Sequence, residues 1–107
     1  MNMNRKDTIN SIKRVAQAVL PTNGNLVLFG SHARGDAGPD SDWDLLILLD
    51  KARLEKADYD DVAYPFRELG WEINEDINPV MYTKKQWREY SFTPFYKNVE
   101  HDKVVLV

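Results

Sequence analysis

Ile9, Ile12, Ala16 and Val19 recur at intervals of three, four and three, which places them on one stripe of an amphipathic helix. Asn4 has the short polar side chain that caps such a helix, and Pro21 closes it. The turn residues "TNGN" then precede "LVLF", a short apolar run that reads as a buried strand ending at Gly30. Trp43 to Leu49 is apolar on both faces apart from Asp44, the pattern of a central strand covered on each side. Leu54, Ala57, Val62, Phe66 and Leu69 suit helical packing between Lys51 and Gly70, where Pro65 predicts one bent helix or two pieces. A third strand is expected over Asp76 to Thr83, at an edge of the sheet, because Pro79 has no N–H to give to a ladder. "TPFYKNV" reads as a short helix with Thr93 as cap and Pro94 in its first turn, and "VVLV" is a candidate fourth strand. With no repeat, low-complexity segment or linker, this alternation predicts one mixed α/β domain over residues 1–107.

Composition narrows the chemistry. A chain of 107 residues, 43% of them hydrophobic, can fill one core. The net charge of −3 argues against general affinity for nucleic acid, which needs a field of lysine and arginine against the phosphates. Without cysteine there is neither a disulfide framework nor a thiolate metal site, so any site chemistry must use oxygen and nitrogen. "MNMNRKDTIN" lacks the apolar core of a signal peptide, and the longest apolar run, Leu45 to Leu49, is far short of the roughly 20 residues that span a bilayer. The expectation is a cytoplasmic protein that does not enter the membrane. Nothing in the composition excludes self-association into a homo-oligomer.

The stretch "FGSHARGDAGPDSDWDLLILLD" holds the candidate chemistry. Side chains alternate along a strand, so Asp42 and Asp44 share a face, with alpha carbons about 6.5 to 7 Å apart. Such carboxylates either form a polar strand entrance in water or share a hard divalent cation such as Mg²⁺. Gly30 and Ser31, at a strand end, are either a tight turn or a phosphate cradle. Glycine lets backbone approach an anion, the serine hydroxyl can hydrogen-bond it, and Arg34 can add positive charge. Ser41, beside Asp42, joins Gly30, Ser31 and Arg34 as a candidate nucleotide-binding residue. Together the two halves offer a place for a triphosphate and a place for its Mg²⁺, which is what phosphoryl transfer requires.

Gly30-Ser31, ten residues, then Asp42-Trp43-Asp44 resembles the GSx10DxD signature of the DNA polymerase β-like nucleotidyltransferase superfamily. The fuller run "GSHARGDAGPDSDWDLLILL" looks like its minimal nucleotidyltransferase branch, with the resemblance extending from the first helix to "TPFYKNV". The resemblance implies a palm with a small mixed sheet and packed helices. It also implies an enzyme that binds an NTP, with ATP favoured, and two Mg²⁺ ions during turnover. The reaction would transfer an NMP, AMP above all, to a hydroxyl of a protein or small molecule and release pyrophosphate. By the same resemblance Gly30 and Ser31 hold the triphosphate and Asp42 and Asp44 hold the metal. Larger relatives append an acceptor-binding domain, so the acceptor surface is expected from a second protein, such as a helical toxin of the HEPN ribonuclease class.

Active relatives carry a third acid on the next strand, here "EDINPVMYT". Asn78 stands where that acid belongs, and an amide cannot take a proton. Asp76, two residues earlier and on the same strand face, could replace it as a catalytic residue if the strand slides or bulges, or could be merely an acid at the strand entrance. The alternative is therefore a catalytically degenerate nucleotide- and partner-binding module, the antitoxin half of a toxin-antitoxin pair. Lys84, Lys85 and Arg88 are a solvated helix start or a phosphate-binding patch. His32 and His101 read as surface histidines, and Tyr59, Asp60 and Asp61 as a solvated helix face.

Overall fold

The computed structural model describes residues 3–107. Helix α1 (Arg5–Val19) starts at Asn4, whose side chain accepts from the Asp7 N–H at 2.8 Å while the Asp7 carboxylate accepts from the Asn4 N–H. Two N–H groups that the first turn cannot pair internally are thereby satisfied. The predicted stripe faces inward: Thr8, Ile12 and Ala16 are buried, with Ile9, Val15 and Val19 packed at their margin.

Strand β1 (Asn25–Phe29) leads through Gly30 into α2 (Ser31–Arg34), a single turn. A loop then reaches β2 (Trp43–Leu49). The segment to residue 73 forms α3 (Lys56–Asp58), a π-helical turn (Tyr59–Ala63) and α4 (Tyr64–Ile73). Pro65 lies in the first turn of α4, and the helix widens just before it. Widening is one way to absorb a residue that lacks a donor and carries a ring where a carbonyl would sit. The sequence allowed a bend or two pieces; the chain continues through with a π turn between α3 and α4. Beyond α4 come β3 (Ile77–Thr83), α5 (Lys84–Glu89), α6 (Pro94–Asp102) and β4 (Val104–Val105). α5 is an element that hydrophobic spacing did not reveal. Thr83 and Gln86 cap it reciprocally, at 3.0 Å in each direction.

The sheet order is β3-β2-β1-β4, with β1 antiparallel to both β2 and β4, and β2 parallel to β3. β3 therefore lies at an edge, where the missing Pro79 donor costs no ladder bond. "VVLV" does supply a strand, two residues long, on the opposite edge.

Period-two alternation sorts β2 between two cores. Trp43, Leu45, Ile47 and Leu49 join α1, α4, Leu26, Leu28 and Ile77 on one face. Leu46 packs with Val27, Trp87 and Val99 on the other, beneath α5 and α6. Coverage on both faces is why β2 is almost continuously apolar. Phe66, with no exposed surface, anchors the first core; truncation to alanine at such a site costs about 3–5 kcal/mol. Asp44, an even-numbered residue of β2, emerges on the α5/α6 side. Among the described residues no helix is long and apolar enough to cross a membrane.

Candidate active site

Asp44 sits between two neighbours. In the β1–β2 ladder it faces Phe29, so the residue after Phe29 passes directly over it. That residue is Gly30, with φ of 77° and ψ of −159°, a backbone region that belongs essentially to glycine. A Cβ at Gly30 would collide with Oδ2 of Asp44. Glycine is thus required twice, by torsion and by the carboxylate beside it. Gly30 also starts α2: its carbonyl accepts from the N–H groups of Ala33 and Arg34, each at 3.1 Å. Gly35, at φ 85°, ends the turn and donates to the Ser31 carbonyl at 2.9 Å.

On its other side Asp44 is paired with Asn78 in the parallel β2–β3 ladder. The Asn78 amide Nδ2 donates to Asp44 Oδ1 at 3.4 Å. Burial pushes the Asp44 carboxyl above the usual carboxylate range, the negative charge of Asp42 adds to that, and Asn78, His32 and Arg34 pull the other way. Asp42 is exposed just ahead of β2 on the same strand face.

The β2–β3 register runs without a bulge from Trp43 opposite Ile77 to Leu49 opposite Thr83. The slide that would carry Asp76 opposite Asp44 is therefore not present, and Asn78 occupies that position. Carried back one residue, the register sets Asp76 beside Asp42. The Asp76 carbonyl accepts from the Trp43 N–H at 2.7 Å, and its side chain is exposed. Asp76 also lines a cleft of about 350 Å³ at the mouths of β2 and β3, together with Asp40, Ser41, Trp71 and Glu75.

The loop between α2 and β2 is held from several directions. Ser41 Oγ accepts from the Gly38 N–H at 2.9 Å, so the hydroxyl expected to meet a nucleotide also shapes the loop. The His32 ring stacks on Trp43 at 3.7 Å between centroids and 9° between planes, with Nε2 3.2 Å from the Ser41 carbonyl. His32 thus ties the Gly-Ser turn to the strand of the aspartates, a contact that no spacing in the sequence announces. The buried Trp43 indole N–H has no hydrogen-bond partner among the described residues. Arg34 is engaged rather than free: its Nη1 donates to Asp102 at 2.9 Å and its Nε to Asp36 at 3.2 Å. Asp102, on α6, is a participant that sequence reasoning did not find.

Other candidates lie elsewhere. Lys84, Lys85 and Arg88 follow Thr83, about five strand residues or roughly 16 Å from Asn78. Asp60 pairs with Lys56 at 2.6 Å on the exposed helix face. His101 is exposed and touches Asp102.

Among the described residues no three His, Asp or Glu side chains cluster tightly enough to cage an ion. The pair Asp42 and Asp44 still suits Mg²⁺, which keeps several waters and is commonly held by one or two carboxylates plus substrate phosphates. The charge of Asp42 adds to the rise that burial causes at the Asp44 carboxyl.

Comparisons with known proteins agree with this fold. The chain is similar to a solved toxin-antitoxin structure with AMP-PNP, at 20% identity over 92% of this chain and 72% of that one, with a TM-score of 0.66. It is also similar to two mutants of the MntA-HpeT toxin-antitoxin. One is 17% identical over 98% of this chain and 73% of that one, with a TM-score of 0.66; the other is 19% identical over 99% and 73%, with a TM-score of 0.64. At these identities the likeness shows the fold. No curated protein shows significant similarity to the chain. Residues 9–106 match the nucleotidyltransferase domain, and on that match over nearly its whole length the chain belongs to the nucleotidyltransferase family.

Proposed function

We propose that the protein is a Mg²⁺-dependent nucleotidyltransferase that moves an NMP, AMP above all, from an NTP to a hydroxyl and releases pyrophosphate. The observation that carries this reading is Gly30 packed against Asp44. A positive-φ glycine opens a backbone turn to phosphate at the same point where two carboxylates stand ready for a cation. Gly30 and Ser31 would bind the β- and γ-phosphates through backbone N–H groups and the serine hydroxyl. Asp42 and Asp44 would hold Mg²⁺, which when bound neutralises the phosphate charge that develops during in-line displacement.

The acceptor hydroxyl would attack the α-phosphorus, pass its proton to a base and expel pyrophosphate. Asn78 is no base. Asp76, beside Asp42 and lining the cleft, is the residue we assign to that role, directly or through a water. The toxin-antitoxin neighbours, one of them with AMP-PNP, support ATP as donor and a partner protein as acceptor; a HEPN-type toxin is the partner we favour.

A second reading has its own observation. Asn78 opposite Asp44 favours a protein that holds nucleotide and partner without turnover, as a neutralising module. Incubation with α-labelled ATP, Mg²⁺ and candidate acceptors separates the two. Label transfer that depends on Asp42, Asp44 and Asp76 is expected from the enzyme. Absence of transfer from every NTP, or transfer undiminished in Asp42→Asn/Asp44→Asn, sinks it.

A further inference from the structure

Arg34 lies three residues beyond Ser31, and its guanidinium is already occupied on both sides. A guanidinium presents two edges for bidentate recognition of an anion, Nε with Nη2 and Nη1 with Nη2. Asp36 takes Nε at 3.2 Å and Asp102 takes Nη1 at 2.9 Å, so one donor of each edge is in use. A phosphate can engage either edge in full only after a carboxylate gives way.

Asp102 is an unusual place for an acid. It is the last residue of α6, where the helix dipole disfavours negative charge. Only 13% of its side chain is exposed, and it is 68 residues from Arg34 in sequence. Its other oxygen is 3.0 Å from His101 Nδ1. The bonds from His101 and Arg34 hold its carboxyl below the usual carboxylate range, so it is charged and committed to these partners at neutral pH. The Arg34 N–H donates to the Gly30 carbonyl at 3.1 Å, so the contested side chain springs from the same turn as the candidate cradle.

We propose that Asp102 is a latch on Arg34: it competes with the triphosphate for the guanidinium and thereby sets nucleotide affinity. Asp36 is the weaker second half of the latch. The inference rests on the reading of Gly30 and Ser31 as a triphosphate cradle.

Calorimetric titration of ATP with Mg²⁺ tests it without requiring turnover. Asp102→Asn is expected to lower Kd about two- to fivefold, the range set by release of a partly exposed ion pair, and Asp36→Asn to lower it less. Arg34→Ala should raise Kd, and in that background Asp102→Asn should change nothing. An unchanged or raised Kd in Asp102→Asn overturns the latch. So does an equal decrease in the Arg34→Ala background, which would mean only that an acid near an anion site had been neutralised. Thermal unfolding of each variant establishes that it is folded; should Asp102→Asn unfold, Asp36→Asn alone and with Arg34→Ala carries the same test. Wild-type protein that binds no ATP refutes the cradle and the latch together, whereas wild-type binding with no response to either substitution refutes the latch alone.

Discussion

The two flanks of Asp44 differ. Toward β1, everything is fitted: Gly30 turns at a torsion only glycine takes easily, passes over the carboxylate without a Cβ, and opens α2. Toward β3, the register is as regular, yet the residue it delivers is Asn78, a neutral amide that donates to Asp44. On the reading proposed above, the first flank is the one that would receive phosphate and cation. The second lacks the proton acceptor that the resemblance leads one to expect. On the same reading, binding and proton transfer would fall to different strand pairings, so that one could be lost while the other is kept.

The sharpest way to break the comparison is to remove what both flanks share. Asp42→Asn/Asp44→Asn should reduce label transfer from ATP by about 10³-fold or more, the scale expected when the groups that neutralise a transition state are lost. Mg²⁺-dependent strengthening of ATP binding, followed by calorimetry, should vanish in the same variant. Persistence of either would mean that the carboxylate pair is not the centre of the site.

Next in size is repair of the β3 flank. With Asp76 set off beside Asp42, a base placed directly opposite Asp44 by Asn78→Asp should raise label transfer by up to about 10²-fold, the lower end of what a positioned base contributes. The new carboxylate would stand beside Asp44, whose carboxyl is already raised by burial and by Asp42. The variant should therefore melt a few degrees lower than wild type without divalent ions, roughly 4–8 °C per kcal/mol for a chain of this size. Mg²⁺ should return most of that loss. A faster enzyme would show that the amide limits turnover; an unaltered rate would leave the role with Asp76.

The β1 flank is expected to respond differently. Gly30→Ala places a methyl group against Asp44 Oδ2 and asks alanine to adopt φ 77°, ψ −159°. The torsion alone costs about 1–3 kcal/mol. Denaturant unfolding should show that loss, and ATP affinity should fall with it as the turn is displaced. Gly35→Ala makes a useful control: its φ is 85°, but a Cβ there meets nothing within 4 Å. It should lose stability with a smaller effect on ATP binding.

Much of this layout is legible in the chain. The stripe of Ile9, Ile12 and Ala16, the doubly covered β2 and the edge position of β3 follow from period and from one proline, because burial on defined faces leaves a direct mark on residue type. The approach of Gly30 to Asp44 was legible because the motif spans one short connection between neighbouring strands. Other features were less so, or not at all. α5 is too short to display a period, although Lys84, Lys85 and Arg88 allowed a helix start there. The π turn before Pro65 is a local response to a missing donor, one of several solutions that the sequence leaves open. Asp102 reaches Arg34 across 68 residues, a distance over which no local pattern can report. The choice between Asp76 and Asn78 depended on register, and a two-residue offset keeps every side chain on its face and so leaves no signature in an edge strand read alone.

The smallest effect expected is also the one that isolates Asp44 from catalysis. A carboxyl whose folded pKa is raised weakens the folded state wherever it is ionised, because the unfolded chain holds that charge more cheaply. The penalty is absent below the unfolded pKa, grows as pH rises through the carboxylate range, and is complete above the folded pKa. Asp44→Asn should therefore melt slightly higher than wild type at neutral pH without divalent ions. The gain should shrink toward zero, or reverse, as pH falls through the carboxylate range. Mg²⁺ should stabilise wild type and leave Asp44→Asn nearly unmoved. Because the amide keeps the carboxylate's shape, a melting difference that ignores both pH and Mg²⁺ would trace to the altered hydrogen bond with Asn78 rather than to charge, and would separate the two demands that meet at that one side chain.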